Sequence, residues 1–224
     1  MKLPARLPLA AGMILFAAAC AAPPATTATT TTTTTTTWHE LFDGSSLGTF
    51  AITDFGGQGD VAARDGRLCL GMGSPLTGVT WQGALPDANT GYELELVGRR
   101  ELGNDFFCGL TFPVGTSHLT LVLGGWGGSV CGLSSLDGND AANNDTRVLR
   151  TFAADRDYTI RLAVSPVRVR VELDGAPLLD ADLRGHQLGL RPEVLLSRPL
   201  GLCSFATGAS FARFRWRALP PAKP

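Results

Sequence analysis

The fold class follows from residues 103–147, which read GNDFFCGLTFPVGTSHLTLVLGGWGGSVCGLSSLDGNDAANNDTR. Short apolar runs at 106–112, 119–123 and 130–136 lie between turns that are rich in Gly, Ser, Asn and Asp. Runs of this length between such turns are typical of β-strands rather than helices. The stretch therefore predicts three consecutive strands joined by short connections.

The sequence on both sides of this stretch has the same character. Residues 167–173, VRVRVEL, alternate strictly between apolar and polar side chains and are followed by Asp174-Gly175, which indicates a half-buried strand entering a hairpin turn. Further strands are predicted at 67–71, 79–82, 92–97 and 158–164, and in a last pair of strands formed by Phe205 and 210–217. No ten-residue segment has a helical period. We therefore predict an all-β fold, an antiparallel β-sandwich or jelly roll.

Alternation in the last strand predicts which of its side chains share a face. The residues expected together there are Phe211, Arg213, Arg215 and Arg217.

Residues 1–20 have the features of an export signal. Lys2 and Arg6 form a basic region, 7–16 an apolar region, and the small residues 17–19 a cleavage site. Cys20 follows at once, so the segment resembles a bacterial lipoprotein signal in which Cys20 is acylated. The alternative is an ordinary secretory signal with an incidental Cys20. The first interpretation predicts a lipid-anchored protein of the bacterial cell envelope, with its domain in the periplasm or at the cell surface.

Residues 21–37 are almost all Ala, Pro and Thr, and this composition predicts a disordered linker. The folded domain is expected at 38–219, a length sufficient for one well-buried core, and 220–224 as a disordered tail. The formal net charge of the chain is −1, without a basic patch or stripe, so nucleic acid is not an expected partner.

Four cysteines follow Cys20, namely Cys69, Cys108, Cys131 and Cys203. Export permits disulfides among them, but each lies among apolar strand residues, so buried free thiols are an equal alternative. Their spacing fits no zinc motif.

Trp126 stands between glycines in the sequence Gly124-Gly125-Trp126-Gly127-Gly128. Glycine permits positive φ and a close approach of other groups, so the indole ring is a candidate for stacking on a sugar. The alternative is that the ring caps one end of the core and the glycines form a bulge.

Several segments, in order along the chain, are similar to the 3-keto-disaccharide hydrolase domain family, also described as 3-keto-glucoside 1,2-lyase/3-keto-2-hydroxy-glucal hydratase. They are WHELFDGSSL at 38–47, ARDGRL at 63–68, YELEL at 92–96, the strand at 106–112 and the Asp174-Gly175 hairpin. The resemblance spans 38–219. It implies a concanavalin A-like jelly roll of antiparallel strands, and glycosides oxidised to a ketone at C3 as the substrate class.

Two strands depart from the family pattern. Many members carry an Asn-Ser-Gly step where this chain reads DFFCG at 105–109, and a Tyr-Glu-x-Gln strand where it reads HLTLV at 118–122. Because these polar groups are replaced, a second function stays open: a carbohydrate-binding module without catalysis on the same jelly roll.

The family reaction needs a base for the acidic C2 proton, a group that stabilises the enolate, and an acid for the leaving group. Alternation places Asp105, Phe107, Gly109 and Thr111 on one face of their strand, and His118, Thr120 and Val122 on one face of the next. If these strands pair, Asp105 or Thr111 could meet His118 on a concave polar face. Asp105 and His118 are the candidate catalytic residues, with His118 as the base. The alternative for His118 is a surface histidine at the start of a strand.

Glu93 and Glu95 are weaker candidates, since the polar face of their strand is more typical of the solvated outer face of a sheet. Glu95 and Asp54 follow His118 as the next carboxylates to test as a base.

Residues 137–145, DGNDAANND, carry many oxygen-bearing side chains, which a divalent cation such as calcium prefers. The spacing is not that of an EF-hand, no other metal motif is present, and a plain polar turn is the alternative. If this loop borders the site, Asn143, Asn144 and Arg147 are candidate substrate-binding residues beside Trp126.

Overall fold

The computed structural model describes Met1 and residues 36–220, and that part of the chain is an antiparallel β-structure. Its strands are β1 (His39–Glu40), β2 (Phe50–Ile52), β3 (Val61–Arg64), β4 (Arg67–Leu70), β5 (Leu76–Trp81), β6 (Tyr92–Gly103), β7 (Cys108–Val114), β8 (Ser117–Gly125), β9 (Val130–Ser134), β10 (Val148–Leu149), β11 (Asp157–Ser165), β12 (Arg168–Leu173), β13 (Ala176–Asp182), β14 (Gly201–Phe205) and β15 (Thr207–Ala218). Pro192–Ser197 form a short 3₁₀ helix. The predicted all-β class is confirmed.

The strands form two sheets. Sheet A has the order β13-β12-β11-β6-β15-β4-β3, with β1 paired to β15, and sheet B has the order β10-β9-β8-β7-β14-β5-β2. One hydrophobic core contains the inward side chains of both sheets, among them Leu94 and Leu96 of β6, Leu110 of β7 and Leu121 of β8. The chain is therefore a two-layer sandwich with two outer faces, as the predicted jelly roll requires.

The hairpin between β12 and β13 forms where the sequence predicts it. Asp174 and Gly175 have φ of 53° and 77°, which is the left-handed pair that a tight two-residue turn needs. Val169, Val171 and Leu173 are buried on the core side of β12.

The expectation for the last strand is wrong at one point. Phe211 and Phe214 are both in the core, although they are three residues apart. The register against β6 shifts between Ala212 and Arg215, and Arg213 has φ of 46°, so a β-bulge at Arg213 resets the alternation. Arg215 and Arg217 consequently face outward, whereas Phe211 faces inward.

Residues 183–200, called the strap below, lie across the outer face of sheet B. The Gly189 amide donates a hydrogen bond to the Ser135 carbonyl (3.1 Å), and the Thr80 hydroxyl donates to the Leu196 carbonyl (3.0 Å). Val194 packs against Leu76 and Cys203 in a second, smaller apolar cluster. The strap covers part of this face and leaves the rest open.

The outer face of sheet A carries an ion-pair network around Glu95. The Glu95 side chain is only 3% exposed, because Arg161 and Arg215 each place a guanidinium nitrogen 2.6 Å from one of its oxygens. Glu93 pairs in the same way with Arg217. Both carboxylates therefore have structural partners on a face that lies across the core from the strap.

The Glu95 network makes stability depend on pH. Burial raises the pKa of Glu95, but the hydrogen bonds and charges of Arg161 and Arg215 outweigh it, so the pKa falls below its usual 4.5. A depressed pKa contributes stability that is present above about pH 4.5 and lost as the pH falls through the folded-state value.

Glu95→Gln should therefore destabilise the domain at pH 7 and much less at acid pH. Breaking a fully buried ion pair costs about 3–5 kcal/mol, and the partial exposure of the arginines reduces the expected loss to about 1–3 kcal/mol. Urea unfolding at pH 7 and pH 3 measures it, with Glu172→Gln as the control, since Glu172 is 45% exposed and lies 3.8 Å from Arg161. An equal loss at both pH values would contradict the assignment.

The four cysteines of the domain are free thiols. Burial raises the pKa of Cys131 to about 11 and that of Cys203 to about 12, and it raises that of Cys108 further. The thiols of Cys108, Cys131 and Cys203 are consequently unreactive packing groups rather than nucleophiles.

The predicted signal segment with Cys20 and residues 221–224 lie outside the described residues, as does the predicted linker except for its last two positions. Among the residues that are described, no helix has the length and apolarity needed to cross a membrane.

Candidate functional site

A pocket of about 280 Å³ opens on the outer face of sheet B, between the strap and the β8–β9 turn. We call it the aromatic pocket. Its apolar lining consists of Val122 of β8, Phe205 of β14, Val194 of the strap, Phe106 just before β7 and Trp126 just after β8. The two phenylalanine rings pack against each other with their centroids 5.6 Å apart.

A glycine beneath the pocket makes room for this lining. A Cβ on Gly109 of β7 would lie 2.9 Å from Phe106 Cε2 and 2.8 Å from Cys203 Sγ, both closer than real contacts allow. The aromatic ring and the thiol therefore occupy the space that a side chain at residue 109 would need. This explains why the sheet carries a glycine at its centre, where glycine otherwise weakens a strand.

Trp126 projects from the β8–β9 turn at the mouth of the pocket and is 43% exposed. Its φ is 50°, which is rare for a bulky residue. Asp105 stabilises the turn, because its carboxylate accepts hydrogen bonds from the amides of Phe106 (2.7 Å), Trp126 (3.2 Å) and Gly127 (3.4 Å). The Trp126 ring therefore lies at a pocket and does not cap the core. The bulge that the alternative interpretation expected is present, since the register of β8 against β9 shifts between Leu123 and Gly125.

Hydroxyl groups form one wall of the pocket. Thr111 of β7, Thr120 of β8 and Ser134 of β9 stand opposite one another in the registers of sheet B, and the Thr111 and Thr120 hydroxyl oxygens are 2.9 Å apart. Thr120 and Ser134 line the pocket. These side chains can donate hydrogen bonds to a ligand and accept them from it.

Charged groups of the strap form the rim. Arg191 donates from Nε to Glu193 (2.5 Å) and from Nη1 to Asp140 (2.7 Å), so it links the strap to the 137–145 loop. Arg191 and Glu193 are 43% and 37% exposed, and both line the pocket. The rim therefore presents a fixed cation and a fixed carboxylate above an aromatic floor.

The predicted meeting of Asp105 and His118 is wrong. Asp105 contacts the turn that follows β8, whereas His118 is the second residue of β8, so more than about 20 Å of strand separates them. Phe107 is also buried in the core rather than beside Asp105, because regular alternation begins only where β7 starts, at Cys108. His118 does share its strand face with Thr120 and Val122, but it does not line the aromatic pocket.

The environment of His118 also differs from the expected one. Burial lowers the pKa of His118, and the positive charge of Arg198 lowers it further. Among residues 36–220, the groups that shift this pKa all lower it, so the neutral form of His118 is favoured at pH 7.

Asn143 and Asn144 line a separate pocket of about 430 Å³, whose lining does not include Trp126 or Arg147. The Asn144 amide donates to the carbonyls of Leu133 (2.8 Å) and Asp140 (2.9 Å), so this side chain shapes its own loop. The expected grouping of these residues with Trp126 in one site is therefore not present.

Two of the three carboxylates of the 137–145 loop, those of Asp137 and Asp140, accept hydrogen bonds from protein donors. Asp137 accepts from the Gln187 amide and lies 2.7 Å from His186 Nδ1, and Asp140 accepts from Ala142 and from Arg191. In residues 36–220, no group of three or more His, Cys, Asp or Glu side chains is placed to hold a metal ion. Calcium at this loop stays a prediction.

No family model and no curated protein matches the chain. Solved structures do. One is a protein of unknown function with a galectin-like fold from Bacillus subtilis, 14% identical, with a TM-score of 0.53 over 81% of this chain and 98% of that one. The chain has this jelly-roll fold.

Two further structures share it. A carbohydrate-binding module, CBM66 from Bacillus subtilis, is 10% identical, with a TM-score of 0.51 over 76% of this chain and 96% of that one. A transglycosylase in complex with NAG is 11% identical, with a TM-score of 0.53 over 84% of this chain and 85% of that one. At these identities the comparison shows the fold alone.

Proposed function

We propose that this chain is a carbohydrate-binding domain and that its ligand occupies the aromatic pocket. The observation that carries the proposal is the exposed Trp126 beside two packed phenylalanines, with hydroxyl groups on one wall and a charged rim. Aromatic rings supply large rigid contact surfaces, and a few placed polar groups fix a ligand's orientation. The names of two proteins with this fold, a carbohydrate-binding module and a transglycosylase solved with NAG, support the same ligand class.

The size of the pocket favours a small saccharide. Its volume of about 280 Å³ is near the lower end of the range for small-molecule sites, which suits one or two sugar rings. Isothermal titration of the protein with a panel of mono- and disaccharides tests the proposal. Saturable binding that Trp126→Ala weakens is the expected result, and no binding to any member of the panel would overturn it.

The second candidate is a 3-keto-glycoside lyase/hydratase, which the sequence resemblance implies. In that reaction a base removes the C2 proton, the C1–O bond breaks as the leaving glycosidic oxygen takes a proton from an acid or from water, and water adds to the resulting glucal to give the free 3-keto sugar. Glu193 is the carboxylate at the rim that we assign as base, since Asp105 already accepts three backbone hydrogen bonds. Arg191 Nε lies 2.5 Å from a Glu193 oxygen. Its guanidinium is therefore placed to stabilise the negative charge that develops on the enolate oxygen of a substrate held at this rim.

Incubation with 3-keto-lactose and with lactose separates the two candidates. Release of 3-keto-galactose and glucose from the ketone substrate alone supports the enzyme, and binding without turnover supports the binding module. General-base catalysis contributes about 10²–10⁴-fold, so Glu193→Gln should then lower turnover at least a hundredfold. The same loss in His118→Gln instead, with activity rising through a pKa below 6.5, would make His118 the base.

We also propose that Cys20 carries a lipid that tethers the domain to a bacterial envelope membrane. The support is the signal-like composition of residues 1–20. Cys20→Ser should move the protein from the membrane fraction to the soluble fraction, or leave it uncleaved. Unchanged acylation and membrane partition in this variant would exclude the tether.

A further inference from the structure

Arg100 of β6 is a buried cation that forms no ion pair within residues 36–220. The residue is 7% exposed, its Nε has no hydrogen-bond partner, and burial lowers its pKa. Removing a guanidinium from water without a paired carboxylate is expensive, so its position calls for an explanation.

The guanidinium lies directly behind the turn that carries Trp126. Nη2 donates a hydrogen bond to the Gly128 carbonyl at 3.0 Å. A Cβ on Gly124 would lie 2.7 Å from the same nitrogen, and one on Gly128 would lie 3.3 Å from Nη1. On its other side, the Arg100 Cζ is 5.9 Å from the centroid of the Phe107 ring, within the range of a cation–π contact. Two glycines of the turn are thus needed to let the arginine approach.

Asp105 contacts the same turn from its exposed side. It accepts the amides of Trp126 and Gly127, while Arg100 donates to the carbonyl of Gly128 from the core side. The turn is therefore held from both sides: the Asp105 carboxylate accepts hydrogen bonds from its amides, and the Arg100 guanidinium donates one to its carbonyl. Between these contacts Trp126 has its unfavourable φ of 50°, a conformation that persists only where surrounding contacts impose it.

We propose that Arg100 is a positioning residue for the sugar-stacking tryptophan: with Asp105 it clamps the Gly124–Gly128 turn so that the Trp126 ring stands at the mouth of the aromatic pocket. The clamp itself follows from contacts within the turn. Its consequence for ligand binding rests on the proposed function. A preorganised ring binds without the loss of side-chain and loop freedom that a mobile ring would suffer.

Spectra of the ¹⁵N-labelled protein test the clamp without any ligand. The Trp126 indole resonance is identified by its absence in Trp126→Phe. Arg100→Met keeps an unbranched side chain in the core but removes the donor, and it should shift or broaden the Trp126 indole signal while the other indole signals stay in place. The matched control is Arg99→Met, which removes a neighbouring arginine whose partner Asp157 is not part of the turn.

Asp105→Asn tests the same clamp from the exposed side and should move the same signal. An unchanged Trp126 indole in folded Arg100→Met would overturn the inference. Should Arg100→Met fail to fold, an unchanged signal in Asp105→Asn overturns it instead.

Affinity for a saccharide identified in the titration panel provides the second readout. Arg100→Met should weaken saccharide binding about tenfold in the otherwise unchanged protein. It should cause no further loss of affinity when Trp126 is already replaced by Ala, because the effects of two substitutions that act through the same group do not add. Equal losses in both backgrounds would show a general structural role and contradict the proposal. If no sugar binds the unchanged protein, the proposed function fails, and the indole signal still decides the clamp.

Discussion

Trp126→Ala should lower the affinity for the bound saccharide by about 10- to 100-fold and leave the fold unchanged. Truncating an aromatic anchor at the centre of a binding site costs about 2 kcal/mol or more, and each 1.4 kcal/mol is a factor of ten. The ring is 43% exposed at the pocket mouth, so its removal leaves no cavity in the core. Isothermal titration measures the loss.

The matched control for this substitution is Leu149→Ala. Leu149 is an apolar side chain on β10, the edge strand next to β9; it is 62% exposed and does not line the aromatic pocket. Its truncation should not change affinity. Comparable losses in the two variants would mean that exposed apolar surface in general, and not the Trp126 ring, supports binding.

Gly109→Ala should destabilise the domain by about 1–3 kcal/mol and disturb the pocket at the same time. The added methyl group would lie 2.8 Å from Cys203 Sγ and 2.9 Å from Phe106 Cε2, so it must displace the pocket floor. Overpacking of this size in a well-packed site has that magnitude. Urea unfolding gives the stability, and the sugar titration gives the effect on the pocket.

The matched control is Gly189→Ala in the strap, which also replaces a glycine by alanine but at a position with open space around the new methyl group. A Cβ there meets nothing within 4 Å, so the substitution should be neutral or slightly stabilising, because alanine has less freedom in the unfolded chain. Full stability in Gly109→Ala would show that Phe106 can move freely, and would contradict a rigid aromatic floor.

The β-architecture could be predicted because it depends on local patterns. Alternation at 167–173 predicts Val167, Val169, Val171 and Leu173 on the inner face. The last three are in the core, whereas Val167 is 49% exposed because it precedes the start of β12. The Asp174-Gly175 turn supplies the two positive φ angles that the hairpin needs. These are properties of neighbouring residues, which a sequence shows directly. Alternation gave the wrong face for part of the last strand, because a bulge at Arg213 adds a residue to β15. No local sequence pattern indicates this bulge.

The site could be predicted only in part, because its residues come from distant segments. Trp126 and Asp105 were recognised as candidates, and they share one turn. The strap contributes Arg191, Glu193 and Val194, whose approach to β8 and β9 depends on tertiary contacts such as that of Gly189 with Ser135. None of these strap residues was predicted from the sequence; the signal that could have found them is the charged pair in RPE at 191–193, which stands between LGL at 188–190 and VLL at 194–196.

The pairing of Asp105 with His118 failed for a different reason. Alternation assigns a side chain to a face of a strand, but it does not give the distance along the strand. His118 and the turn that Asp105 contacts belong to opposite ends of β8, so a shared face did not bring them together.

A saccharide in the aromatic pocket would change the backbone and indole resonances around it, and titration of the ¹⁵N-labelled protein with lactose and with 3-keto-lactose measures this. We expect saturable shifts for Phe106, Thr120, Trp126 and Ser134, which surround the pocket, and for Arg191 at its rim. Shifts confined to the other pocket, around Asn143 and His186, or no shifts with either sugar, would contradict binding in the aromatic pocket.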